Sequence, residues 1–412
     1  MATSLKTIPP SPAVQRIKEF LGLRRSMVAM LAMVILVGMG ENMAERFLPI
    51  YLVALGGGAL TVSFLNGMDN LLSALYSFPG GYLSDKLGYK RALLVFNLIA
   101  MAGYLLVIFI PSWWAVIAGA VLFLSWSAIS LPATMSLVAA ILPNNKRTMG
   151  VSMHSLVRRL PMAMGPVIGG LLIAWKGEIL GVRLAFVLAL FFASIAVILQ
   201  QIYVEDRKSE NKAEINPLRL FDRMSGDFRK LLVADILIRF CEQIPYAFMA
   251  IWVINNHGIS PVTFGLLTTI EMVTAMLVYI PVAYLADKST KKPFVTTTFV
   301  FFTLFPLILL FANNIWLFII AFIVRGLKEF GEPTRKALIM DLAPEGQKAA
   351  MFGLYYLLRD VVVSLAAFGA GFLWNISPAA NFLTAFGFGV IGTLFFAIWG
   401  RDVSAETKLA TG

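Results

Sequence analysis

Charge is scarce in this chain: of 412 residues, 14% are Asp, Glu, Lys or Arg, where a soluble domain carries roughly a quarter. One cysteine, Cys241, leaves no disulfide possible within the chain. The two histidines, His154 and His257, stand apart from any Cys or carboxylate arrangement, so no metal site is expected. Phosphate-cradling GxxxxGK[ST], HExxH and GxSxG patterns are all missing, which argues against ATP drive and against an enzyme. What is abundant is apolar surface, at 59% hydrophobic residues and a mean hydropathy of +0.80. Water is not the main solvent of such a chain.

About 20 mostly apolar residues cross a hydrocarbon core as a helix. Twelve stretches qualify, at 27–54, 60–83, 92–110, 114–142, 149–175, 184–203, 230–254, 262–286, 294–312, 315–342, 350–374 and 381–399. The fold class expected is therefore an all-α membrane protein. The first stretch follows a basic leader, but its length, Glu41 and Glu45, and the lack of a small-residue cleavage site argue for a retained span rather than a signal peptide. The net charge of +11 resides in alternate loops, including Lys86, Lys90 and Arg91, Lys146 and Arg147, and Lys288, Lys291 and Lys292. The opposite loops carry Lys176 and Arg183. That pattern places both termini in the cytoplasm and argues against a nucleic-acid partner.

A loop occurs twice. Residues 80–91 read GGYLSDKLGYKR and residues 282–292 read VAYLADKSTKK, each between two apolar stretches. At an offset of 202 Asp69 falls on Glu271 and Asp85 on Asp287, and at an offset of 201 Pro132 falls on Pro333, Pro143 on Pro344 and Arg158 on Arg359. Between the copies, 204–230 is the longest charged segment. The chain is thus read as a tail (1–26), a six-helix bundle (27–203), a cytoplasmic linker (204–229), a second six-helix bundle (230–399) and a tail (400–412). Parallel repeats of this kind place a substrate site near the bilayer midplane, between the halves.

The first copy of the loop closely resembles the helix 2–3 signature of the major facilitator superfamily, and the six-plus-six plan extends that resemblance over essentially the whole chain. It implies secondary transport by alternating access, with Gly81, Asp85, Lys86, Gly88, Lys90 and Arg91 forming a cytoplasmic latch against the other half. The second copy keeps Asp287 but has Ala283 and Thr290 where the first has glycines, so a weaker latch is expected there. No cofactor is implied; a proton gradient is the expected energy source. The expected setting is the cytoplasmic membrane of a prokaryote, with a monomer, membrane lipid, protons and a small-molecule substrate as the parties.

An ionisable residue at mid-membrane costs roughly 2.5 to 3.5 kcal/mol on insertion scales, yet this chain has many. Glu41, Glu45 and Arg46 lie on span 1, Asp69 on span 2, Arg239 and Glu242 on span 7, and Glu271 on span 8. These are the candidates for the central cavity and for proton coupling, since opening and closing a cavity alters both the desolvation of a carboxylate and its distance from a neighbouring base. Permanent ion pairs holding helices together are the alternative. Arg158 on span 5, Arg325, Lys328, Glu329, Glu332 and Arg335 on span 10, and Arg359 and Asp360 on span 11 form a second set, read as cavity wall or cytoplasmic gate, with an anion site possible among the bases.

Two further resemblances bear on direction. Residues 164–170, MGPVIGG, are similar to the helix-5 motif of proton-linked drug antiporters through Gly165, Pro166, Gly169 and Gly170. This implies export of a small amphipathic molecule or drug by proton antiport, although close helix packing alone would select the same residues. Glu45, Arg46 and Phe47 resemble the ERF element of proton-coupled peptide transporters, but Asn42 stands where that family has a further Glu. Uptake of a peptide, organic anion or other metabolite is the alternative, with a channel or lipid transporter behind it.

Overall fold

The computed structural model describes residues 25–124, 126, 147–204, 221, 224–287, 290–343 and 348–401. The fold is helical because no water is available in the hydrocarbon core, so each segment must pair its N–H and C=O groups internally. Span 1 comprises α1 (Arg25–Glu45) and α2 (Leu48–Ala54). The break falls at Arg46 and Phe47, and Pro49 begins the next helix, where its missing N–H costs nothing. Next come α3 (Ala59–Leu87), α4 (Tyr89–Phe109) and α5 (Trp113–Phe123), the last leading into a segment outside the described residues. Spans 5 and 6 run together as α6 (Arg147–Tyr203), interrupted at Gly177, where φ is 78°.

The second half repeats this order. Span 7 is α7 (Gly226–Tyr246), followed by a short turn Phe248–Ala250 and a π-helical segment Ile251–Asn256, bent by 45° from α7 just after Pro245. Ser225 caps α7 by accepting from Phe228 N. Then follow α8 (Pro261–Asp287), α9 (Lys292–Phe311), α10 (Ile315–Leu327), α11 (Glu332–Leu342), α12 (Lys348–Ile376) and α13 (Pro378–Trp399). α10 and α11 together form span 10, broken at 328–331 ahead of Pro333. Among the described residues, seven helices are by length and apolarity able to cross a membrane, eight with the bent pair of span 7. Dividing α6 at Gly177 adds span 6, α3 with its 29 residues supplies span 2, and α10 with α11 makes span 10; of span 4 the described residues give the helix α5. Outward-facing Phe109, Trp316, Leu277 and Ile376 are each at least 68% exposed, as suits a protein solvated by lipid.

The segment read as a loop at 80–91 is mostly helix. α3 continues through Asp85 and Lys86 to Leu87, and the turn is reduced to Gly88, whose φ of 88° and ψ of 150° suit glycine alone. α4 is then pinned to the end of α6: Lys90 Nζ donates to Gln201 O and Gln200 Nε2 donates to Lys90 O, both at 2.7 Å. The side chains of Asp85, Lys86 and Asp287 lie outside the described residues, so the latch expected there is not part of the structural account.

Two helix pairs join the halves. α6 packs on α8, where a Cβ at Gly265 would lie 2.7 Å from the Pro166 carbonyl carbon, and one at Gly170 would lie 2.7 Å from that of Pro261. α3 packs on α12 through Gly371 against Ser63 and through Gly67 against the Phe368 ring. Small residues allow these close approaches. All of these contacts lie toward the side of the bundle remote from the linker, hereafter the far side, and close it there.

Candidate functional site

The break between α1 and α2 exposes the polar groups of span 1 to the space between the halves. A small cavity of about 40 Å³ lies there, lined by Glu45, Arg46, Asn66, Asp69, Tyr246 and apolar groups including Leu65, Met249 and Phe264. Arg46 Nη1 donates to Tyr246 Oη at 3.1 Å and its guanidinium lies 5.5 Å from the Tyr246 ring centroid, linking the halves across the cavity. Beside it, Asn66 Nδ2 donates to Gln243 O and Asn70 Nδ2 to Gln243 Oε1, each at 3.2 Å.

The carboxylates on the two sides of this cavity are held differently. Glu242 receives Arg239 Nη1 at 2.6 Å and Lys328 Nζ at 2.7 Å. Glu271, 1% exposed, has Arg325 Nε at 3.0 Å and Lys328 Nζ at 3.7 Å. The Arg325 approach is close in charge, yet neither Glu271 oxygen is aligned for a hydrogen bond. Arg325 also abuts Met249 Sδ and stacks near Tyr246 and Phe305. In the first half, by contrast, among the described residues Asp69 accepts from Ser73 alone, at a long 3.5 Å, and Glu45 makes no ion pair or hydrogen bond.

A second cluster lies nearer the linker. Asp235 takes Arg335 Nη1, Arg359 Nη1 at 3.4 Å and the Tyr355 hydroxyl at 3.0 Å. Arg335 also donates to both oxygens of Glu332, at 2.7 and 2.9 Å. Arg359 Nε donates to Asp360 at 2.7 Å, and the Arg359 guanidinium lies 4.2 Å from the Tyr356 ring centroid. Arg239 connects the clusters, with Glu332 at 3.6 Å and Asp235 at 3.9 Å. Span 10 serves both because it is broken: Arg325 and Lys328 meet Glu271 and Glu242 behind the cavity wall, while Glu332 and Arg335 face the inner cluster. Between them Glu329 crosses to the first half and meets Arg159 Nη2 at 2.9 Å.

The structure thus brings Glu45, Arg46 and Asp69 to one cavity, groups Arg239, Glu242, Glu271, Arg325 and Lys328 behind its second-half wall, and gathers Glu332, Arg335, Arg359 and Asp360 into the inner cluster. Arg158 lies on α6 within electrostatic reach of Glu41 and Glu45 rather than in that cluster. Of the bases read as a possible anion site, Arg325, Lys328 and Arg359 are engaged by carboxylates. The helix-5 glycines act in packing: Gly165 faces Asn42, Gly169 faces Phe47, and Gly170 faces α8. Sequence reasoning did not single out Asn66, Asn70 or Gln243. The amides were recognisable as polar residues one turn or less from Asp69 or next to Glu242. Among the described residues no group of His, Cys, Asp and Glu suits a metal.

A two-half helical bundle with a polar cavity on its pseudo-twofold is the architecture of a secondary transporter. Comparison with known proteins specifies it: the model of the Major Facilitator Superfamily matches residues 30–225 and 231–412, and the chain belongs to that family. An uncharacterized MFS-type transporter of Methanocaldococcus jannaschii is 23% identical over 360 residues, spanning 84% of this chain and 87% of that protein. The class H tetracycline resistance protein of Pasteurella multocida is 21% identical over 371 residues, 87% of this chain and 91% of that one. A POT family transporter crystallised with 5-aminolevulinic acid shares the fold, with a TM-score of 0.78 and 12% identity over 91% of this chain and 96% of that one.

Proposed function

We propose that this transporter exports a small amphipathic organic molecule in exchange for protons, with Glu45 and Asp69 as the groups that take up and release the proton. It acts as a monomer in a prokaryotic cytoplasmic membrane, with both termini in the cytoplasm and no cofactor. The observation that carries the reading is the contrast within one site: Glu242 and Glu271 are held by fixed cations, while Glu45 and Asp69 share a cavity with Arg46 and no ion pair of their own among the described residues. A carboxylate that lacks a permanent partner is free to respond when the cavity opens to one side or the other. The resemblance of residues 164–170 to the antiporter motif and the tetracycline-resistance relative favour export. Rocking of the halves about the sealed far side supplies the alternating access.

Uptake of a peptide or other metabolite is favoured by one feature, the Glu45–Arg46–Phe47 element, whose Glu45 and Arg46 line the cavity. Direction separates the readings. In proteoliposomes screened first with tetracycline and then with dyes, peptides and sugars, antiport predicts substrate movement opposite to an imposed proton gradient, and symport predicts movement with it. Flux that ignores the gradient and survives its collapse by an uncoupler would remove proton coupling altogether.

A further inference from the structure

The two halves differ where their third and sixth spans end on the linker side. In the first half Lys90 Nζ donates to Gln201 O and Gln200 Nε2 to Lys90 O, both at 2.7 Å, so protein groups fill the seam between α4 and α6. Lys292, at the start of α9, stands 202 residues after Lys90. Its neighbour α13 ends in Ile398, Trp399 and Gly400, with no amide side chain to match Gln200. α9 and α13 touch through the hydroxyls of Thr303 and Thr393, 2.9 Å apart, and through the rings of Phe299 and Phe396, with centroids 5.3 Å apart. From there toward the linker side they leave an open groove of about 600 Å³, whose lining includes Thr290, Lys292, Thr296, Thr297, Val300 and Ala397.

This lining does not suit acyl chains alone. At the same offset Thr296 and Thr297 stand where the first half has Leu94 and Val95, and Val95 is exposed as a lipid-facing side chain should be. The Thr296 hydroxyl donates to Lys292 O at 3.0 Å, while that of Thr297 makes no hydrogen bond among the described residues. A hydroxyl turned to hydrocarbon without a partner is costly. Both threonines lie roughly 6–8 Å along α9 from Lys292, at about 1.5 Å per residue. The headgroup layer is about 5–8 Å deep on each side of the core, so these groups sit at its depth. A phosphodiester there offers acceptors to Lys292 and Thr297, and the acyl chain below it continues over Val300 and Leu304, exposed one turn apart.

The charge of the headgroup follows from what the groove lacks. Its lining holds no carboxylate. The acids at the linker-side ends of α7 and α11, Asp227 and Asp341, are taken by Lys230 and Lys291. An ammonium headgroup therefore finds no anion in the groove, whereas a headgroup of net negative charge complements Lys292.

We propose that the groove between α9 and α13 binds one anionic phospholipid, with its phosphodiester at Lys292 and Thr297 and one acyl chain along Val300. The lipid fills the seam that Lys90 and Gln200 fill in the first half. This site lies on the lipid-facing surface, apart from the cavity between the halves, and is independent of cargo and coupling.

The test titrates purified full-length protein in detergent with dioleoyl phosphatidylglycerol, phosphatidylethanolamine and phosphatidylcholine, read by native mass spectrometry and by unfolding temperature. Phosphatidylglycerol binds roughly fivefold or more tightly than either zwitterionic lipid, the effect of one lysine at an anionic headgroup, and raises the unfolding temperature most. Lys292→Gln erases the preference by removing the charge, and Ala397→Trp erases it by filling the groove. Ala397 is exposed, so its replacement leaves the fold intact and decides the matter if Lys292→Gln fails to fold. Equal binding of the three lipids, or a preference undiminished in Ala397→Trp, overturns the proposal. Glycerol 3-phosphate that stabilises the protein as much as phosphatidylglycerol would make the groove a site for soluble phosphate and overturn the lipid as occupant.

Discussion

Arg335 is 1% exposed and holds Asp235 and Glu332 together. Deleting it leaves two buried carboxylates without their main counter-charge. Breaking a buried pair from one side costs about 3–5 kcal/mol. Arg335→Met should therefore lower the thermal unfolding temperature in detergent markedly, and adding Asp235→Asn should recover part of the loss; an unchanged single variant would mean that Arg359 carries the cluster. Glu45→Gln has the opposite profile. With no ion pair to break among the described residues, it should leave thermal stability within about 1 kcal/mol while proton-driven flux falls to background and substrate exchange without a gradient persists. The contrast between these positions was partly readable. The register of the repeat pairs Asp69 with Glu271, but which partner is clamped depends on Arg325 and Lys328, for which span 4 offers no charged counterpart between residues 111 and 145.

At the scale of elements, hydropathy located the spans because lipid imposes length and apolarity on each one. It did not locate the breaks within spans 1, 7 and 10, although Pro49, Pro245 and Pro333 mark them. A proline in a spanning helix can kink it or leave it nearly straight according to what its neighbours supply; Pro166, for example, lies inside the continuous run of α6. The same limit turned a predicted loop into the end of α3. Gly88 is the residue of that motif whose backbone demands glycine, so Gly88→Ala should cost about 1–3 kcal/mol, seen as a lower unfolding temperature. The α6–α8 contact gives a second element-scale expectation. A side chain at Gly265 would meet the Pro166 and Val167 backbone at 2.7 and 2.8 Å, so Gly265→Val should part the halves on the far side. Increased labelling of a cysteine introduced at Asn66 by a membrane-impermeant maleimide would report it, and unaltered labelling would show that the contact yields elsewhere.

For the whole molecule, transport requires the far side to open, and the contacts that close it are within reach of a chemical lock. Ser63 Cβ lies 3.0 Å and Ala59 O 2.8 Å from where a Cβ at residue 371 would stand, so a disulfide there needs the helices to ease apart by roughly 0.5 Å to reach its 3.5–4.5 Å spacing. The native Cys241 is buried, with its thiol donating to Phe302 O, and so offers little competition. In proteoliposomes the Ser63→Cys/Gly371→Cys variant should carry out flux under reducing conditions, lose nearly all of it on oxidation, and regain it with dithiothreitol. Because the bond ties α3 to α12 without touching Glu45 or Asp69, a loss of flux with binding retained from the linker side would assign the block to movement of the halves. Undiminished flux with the crosslink formed in every molecule would mean that the substrate leaves by a route that does not part α3 from α12, and rocking about the far side would have to be abandoned.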